Sequence, residues 1–110
     1  MQINTREVDG ITIIDLEGRL DTNTAADAEK SLAAIVEAGA SKLLLDFEKL
    51  DFVSSAGLRI ILATAKKLKA TGGQLQLCRL NEIVQEIFDI SGFSTLLSVH
   101  KTIDDGLGGF

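Results

Sequence analysis

Lys42-Leu43-Leu44-Leu45-Asp46-Phe47-Glu48-Lys49-Leu50-Asp51-Phe52-Val53-Ser54-Ser55-Ala56-Gly57-Leu58 decides how the rest of the chain folds. Lys42 to Phe47 is nearly continuous in apolar residues, the pattern of a central strand covered on both faces. The chain then runs through Glu48 to Val53 and reaches Ser54-Ser55-Ala56-Gly57. From Leu58 the period changes. Leu58, Ile61, Leu62, Ala65 and Leu68 recur at helical spacing, with Arg59, Lys66, Lys67 and Lys69 mainly off that face. A buried strand that feeds an amphipathic helix is half of a βαβ crossover.

Toward the C-terminus, Thr71-Gly72-Gly73 ends that helix and Gln74 to Cys78 reads as the next strand. Asn81 can cap a third helix with Ile83, Val84, Ile87 and Phe88 as its core face, closed by Ser91-Gly92. Leu96-Leu97-Ser98-Val99 is a short final strand, and the glycine-bearing tail from Thr102 is expected to fray.

Toward the N-terminus, Asp9-Gly10 separates two strand-like runs, Ile3 to Val8 and Ile11 to Glu17, which is a hairpin signal. The second run is expected to stop at Gly18. Asp21-Thr22-Asn23-Thr24 supplies cap residues for a helix whose inner face is Ala25, Ala28, Leu32, Ile35 and Val36, with Gly39 after its end. The order β-β-α-β-α-β-α-β predicts an α/β fold. Its mixed sheet has an opening β-hairpin followed by alternating βα units, with helices packed against it. At 110 residues the chain is read as one domain, residues 1–110.

Composition narrows the function. One His and one Cys cannot build a metal cluster, and a lone Cys forms no intramolecular disulfide, which points to a reducing, cytoplasmic compartment. Cys78 lies in an alternating apolar run and reads as a small buried hydrophobe. A net charge of −5 and only five aromatic residues, all Phe, argue against a nucleic-acid platform. Lys66-Lys67-Leu68-Lys69 reads as a solvated helix face. No apolar stretch approaches the length of a membrane span, and Met1 to Arg6 has no apolar leader core. No cofactor or metal is expected.

The segment that packing alone does not explain is Asp51 to Leu58. A strand-to-helix junction at the carboxyl end of a parallel strand is where α/β folds place sites, and the helix start offers unpaired N–H groups. Ser54 or Ser55 could simply cap the helix. The other reading is phosphorylation, which adds about −1.5 to −2 charges where a helix N-terminus tolerates them. Asp21, Asp46 and Asp51 would add to the repulsion of an acidic partner patch. Neither a G-x-S-x-G elbow nor a phosphate-binding P-loop is present, and a Ser55–His100 hydrolase remains only a distant alternative.

These residues resemble the STAS domain of bacterial anti-sigma factor antagonists. Gly18-Arg19-Leu20-Asp21 with Thr24-Ala25 is similar to the family's turn into its first helix. Leu43-Leu44-Leu45-Asp46-Phe47 through Leu50 is similar to its central strand and exit loop. Phe52-Val53-Ser54-Ser55-Ala56-Gly57-Leu58 resembles its phosphorylation motif. Gly72-Gly73 and Phe88-Asp89-Ile90-Ser91-Gly92-Phe93 also fit, so the resemblance spans nearly the whole chain in order.

The resemblance implies a non-enzymatic switch. The unphosphorylated form would bind an anti-sigma factor that is also a serine kinase of the GHKL type and so release the sigma factor. Phosphorylation at Ser55 would end binding, and a PP2C-like phosphatase would restore it. Ser54 stands where the family pattern has Asp, and Ala56 where it has Ser or Thr, so Ser54 is the alternative acceptor. Asp21, Thr22, Asn23, Ser54, Ser55, Ala56, Gly57 and Arg59 are the implied partner-binding residues. A STAS adaptor in a lipid-transport or stressosome-type complex, without phosphorylation, is the alternative within the same fold. A monomer is expected because each helix has a polar face.

Overall fold

Asp9 and Gly10 both take positive φ, 51° and 80°, the two-residue turn that matches the twist of a hairpin. It joins strand β1 (Gln2–Val8) to strand β2 (Ile11–Leu20) in an antiparallel pair running from Val8 opposite Ile11 to Gln2 opposite Glu17. The computed structural model describes all residues, 1–110. β2 does not stop at Gly18. Gly18 sits at φ 106° beside a register shift, so the strand bulges there and continues to a buried Leu20.

Helix α1 (Ala25–Glu37) crosses over to strand β3 (Lys42–Val53), which pairs parallel to β2. Helix α2 (Ser55–Ala70) leads to strand β4 (Gln74–Cys78), parallel to β3. Helix α3 (Glu82–Ser91) and a 3₁₀ turn at Phe93–Thr95 lead to the short strand β5 (Ser98–His100), parallel to β4. The sheet order is β1-β2-β3-β4-β5. The expected mixed sheet, an opening hairpin and then parallel strands, is the observed one.

Strand alternation divides β3 between two cores. Leu43, Leu45 and Phe47 face one side, where they pack with Leu32 of α1, Ile61 of α2 and Phe88 of α3. Phe47 and Phe88 meet edge to face, with ring centroids 5.9 Å apart. Leu44 faces the other side with Ile11, Ile13 and Cys78.

That second side corrects the expected fraying of the tail. From Thr102, whose hydroxyl accepts the Asp105 N–H at 3.0 Å, the chain forms a short helix α4 (Ile103–Leu107). Ile103, Leu107 and Phe110 cover Leu44 and its neighbours. Gly106 makes this possible, because a Cβ there would lie 2.7 Å from Leu44 Cδ1.

Two helix faces also differ from expectation. In α2 the buried set includes Ile60 and Thr64, while Leu62 and Ala65 are half-buried. The helix packs against α1 as well as the sheet, which rotates its inner face. In α3 Val84 and Phe88 are buried and Ile87 half-buried, but Ile83 points to solvent.

Candidate functional site: two serines at the carboxyl rim of the sheet

The β2 and β3 ends lie side by side, with Leu20 opposite Val53. The Ser54 N–H then donates to the Leu20 carbonyl at 2.9 Å, which sets Asp21 beside Ser54. Ser54 is extended and its Oγ accepts the Gly57 N–H at 3.2 Å, so it is the N-cap of α2. Ser55 is the first residue of the helix, and its hydroxyl is exposed and unbonded within the protein. The capping role therefore falls to Ser54, and the Ser55 hydroxyl is left without a bond inside the protein.

The sequence reading put Gly57 on the partner-facing surface, and the structure corrects this. Gly57 is buried, and a Cβ there would lie 2.7 Å from Leu20 Cγ and 2.8 Å from the Leu20 carbonyl oxygen. Its part is to let α2 approach the end of β2. Ala56 is half-buried and Arg59 exposed on the same helix.

Asp21 holds the entry to α1. Its Oδ1 accepts the N–H groups of Asn23 and Thr24 at 2.9 and 3.2 Å, and Arg19 lies 3.7 Å from its other oxygen. The Arg19 guanidinium also stacks over Phe52, 4.7 Å from the ring centroid. Thr22 and Asn23 are exposed beside it. The structure thus brings Asp21, Ser54 and Ser55 to one rim. An open groove of about 490 Å³ continues from it between α1 and α2, with Ala26, Ala56, Leu62 and Ala63 in its lining and Glu29, Arg59 and Lys66 at its edges.

Sequence reasoning missed how the rim is braced. Asn81 caps α3 by accepting the Val84 N–H at 2.8 Å, and its amide also donates to the Leu50 carbonyl at 3.1 Å. That second bond joins the start of α3 to the end of β3. On the opposite face of the sheet, Arg79 grips Asp46 through Nε at 3.0 Å and through a second nitrogen, and it also pairs with Glu48. The charge-bearing residues are visible in the sequence, but the register that aligns them is not.

Asp46 and Asp15 lie opposite each other across β2 and β3. Burial pushes the Asp46 carboxyl up, but hydrogen bonds from Arg79 and the Glu48 N–H outweigh it and hold the group below its ordinary value. Asp15 is raised, first by burial and then by its interaction with Asp46, and its Oδ1 is buried without a partner. The thiol of Cys78 is pushed up to about 12 by burial and by the Asp46 charge, which makes it inert near neutral pH. His100 is engaged elsewhere: its Nε2 lies 2.7 Å from the Gln76 side chain, and neither serine bonds to it.

The model of the STAS domain family matches residues 2–106. BtrV of Bordetella bronchiseptica, assigned as an anti-sigma factor antagonist, is 37% identical over 110 residues, covering 100% of this chain and 95% of that protein. An anti-sigma F factor antagonist of Paenibacillus polymyxa is 28% identical over 101 residues, with 91% and 86% covered. Among solved structures, the antagonist SpoIIAA in its unphosphorylated form superposes with a TM-score of 0.81 at 22% identity, covering 96% of this chain and 93% of that one. A Thermotoga maritima protein reaches 0.91 at 20% identity, with 96% and 92% covered. The last two establish the fold alone; the family match over residues 2–106 and the BtrV identity mean that this chain belongs to the STAS domain family.

Proposed function

We propose that the chain is an anti-sigma factor antagonist whose unphosphorylated form binds an anti-sigma factor and so releases a sigma factor. The partner doubles as a serine kinase of the GHKL type, and phosphorylation of Ser55 ends the complex. A PP2C-like phosphatase resets it. The observation that carries this reading is the division of labour at the start of α2. Ser54 is committed to its cap, while the exposed Ser55 hydroxyl has no bond to lose on modification.

The physics of the switch follows from that position. A phosphate on Ser55 meets the unpaired N–H groups and positive end of α2, so the fold tolerates it. Arg59 lies one turn further along the same helix, at the spacing where side chains pair. It would turn from the partner to the phosphate, while Asp21 across the rim adds repulsion. Docking loses a cation and gains an anion, with no catalytic group required of this chain.

The test is incubation with the cognate kinase and ATP, followed by mapping of the phosphate by mass spectrometry. Wild type and Ser54→Ala are expected to be labelled and Ser55→Ala blank. Ser55→Asp is expected to bind the kinase at least about tenfold more weakly than wild type, the scale of losing one interfacial charge contact. Phosphate persisting in Ser55→Ala would overturn the assignment.

A further inference from the structure

Two of the protein's arginines are ordered in different ways. Arg79 places Nε and both terminal nitrogens on Asp46 and Glu48, so its guanidinium is fully engaged inside the protein. Arg19 is held but not engaged. It stands opposite Phe52 in the β2–β3 ladder, and its Cζ sits 4.7 Å over the Phe52 ring. Its Nε lies 3.7 Å from Asp21 Oδ2, longer than a hydrogen bond. The Arg19 side chain is 59% exposed, and its N–H groups donate to no atom of the protein.

The backbone beneath Arg19 is also fixed. Its carbonyl accepts the Thr24 hydroxyl at 2.8 Å, and Thr24 Oγ1 accepts the Asp21 N–H at 3.0 Å. The next residue, Leu20, is buried, and its carbonyl accepts the Ser54 N–H. Arg19 therefore stands one residue from the junction that places Ser54 and Ser55. An exposed ion pair this loose adds little to stability, so folding alone does not account for the ordering. A long side chain normally loses rotamer freedom when it binds. Stacked on Phe52, Arg19 has lost much of that freedom before any partner arrives.

We infer that Arg19, held in place by Phe52, is a docking residue for the anti-sigma factor and takes a carboxylate of that protein, an Asp or Glu side chain, in a two-bond fork. This rests on the reading of the chain as an anti-sigma factor antagonist. Stacking occupies the flat face of the guanidinium and leaves its N–H edge open, and parallel N–H pairs on that edge match the two oxygens of a carboxylate. Asp21 lies against the same guanidinium and repels a multiply charged phosphate more than it repels a single carboxylate. Arg is also enriched among the few residues that dominate protein interfaces. The rim around Ser55 then presents two cations to an acidic partner patch, Arg19 from β2 and Arg59 from α2. Only the second belongs to the helix that bears Ser55.

The experiment measures binding of the cognate anti-sigma factor by calorimetry to wild type, Arg19→Gln, Arg19→Lys and Phe52→Leu, alongside thermal melting of each. Arg19→Gln is expected to bind about tenfold more weakly, as losing an interface anchor does. Arg19→Lys should lose nearly as much, because an ammonium keeps the charge but neither the fork nor the stack. Phe52→Leu keeps an apolar side chain and removes the stack, and should bind about threefold more weakly. The Arg19 variants keep their fold because the side chain is solvated, and they decide the matter if Phe52→Leu melts early. In a second arm, each acidic surface residue of the anti-sigma factor is replaced in turn by Lys and tested against Arg19→Glu; one of them is expected to restore binding. Wild-type affinity in Arg19→Gln would overturn the inference and leave the proposed function standing. Wild-type affinity in Arg19→Lys would overturn it too, by reducing Arg19 to a charge that steers encounter. Restoration by none of the Lys replacements would assign the guanidinium to another acceptor and overturn the carboxylate. A wild type that does not bind the anti-sigma factor would remove both this inference and the proposed function.

Discussion

Ser54 and Ser55 are chemically the same residue, and their neighbours separate them. The extended backbone of Ser54 turns its Oγ back onto the Gly57 N–H, while Ser55 is already helical and points outward. Ser54→Ala is therefore expected to lower stability by about 1 kcal/mol, the usual loss for a cap. It should leave Ser55 as the labelled residue. Chemical denaturation measures the first effect. Sequence alone allowed either serine to cap the helix, because that decision rests on which hydroxyl the Gly57 amide meets. Gly57 itself was legible as part of a motif but not as a spacer, since the Leu20 atoms that exclude a Cβ come from more than thirty residues away in the chain.

Elements inherit their properties from register. Placing Asp15 opposite Asp46 sets two carboxyls of contrary behaviour side by side on β2 and β3. Asp15 is raised, chiefly by burial, so the folded chain holds its proton more tightly than the unfolded chain does. Stability then falls as pH climbs through the range above the ordinary 3.8. Asp46 is depressed and acts in the other sense: its contribution is present above its unfolded value and lost as pH falls through its folded one. Asp15→Asn is expected to raise Tm at neutral pH and to have little effect below the ordinary carboxylate range. A Tm series across pH measures this, and equal effects at all pH values would exclude it.

The elements themselves were largely legible. The apolar run of β3, the Asp9-Gly10 turn and the Asn81 cap each announce their structure locally. Three features were not: the continuation of β2 past Gly18, the outward turn of Ile83, and α4. Each depends on a partner distant in sequence. The bulge follows from pairing with β3, the α3 face from Phe47, and α4 from the sheet surface it covers. A glycine-rich tail signals fraying only while that surface is out of view.

At the scale of the molecule the sheet is covered unequally. Three helices pack one face, whereas α4 alone shields Ile11, Ile13, Leu44 and Cys78 on the other. Cys78 is thus a reporter of whether α4 is seated. In the wild type it should resist alkylation at neutral pH, since burial holds its thiol near 12. Gly106→Val pushes a side chain into Leu44 and is expected to lift α4 and raise the alkylation rate under native conditions. An unchanged rate in a variant that still folds would mean that α4 does not guard this face.

The strands stand in the sheet in the order in which they occur along the chain. No strand has to insert between two that are already paired, so each βα unit can add to the open edge left by the one before it. Assembly can then proceed from the N-terminal hairpin outward as the chain leaves the ribosome. Pairings between successive elements keep loop closure short, which favours fast folding for a mainly parallel sheet. The ends of β2 and β3 and the start of α2, which together place Ser55, can form before α3 adds its Asn81 brace, and the β5 edge and α4 are made last.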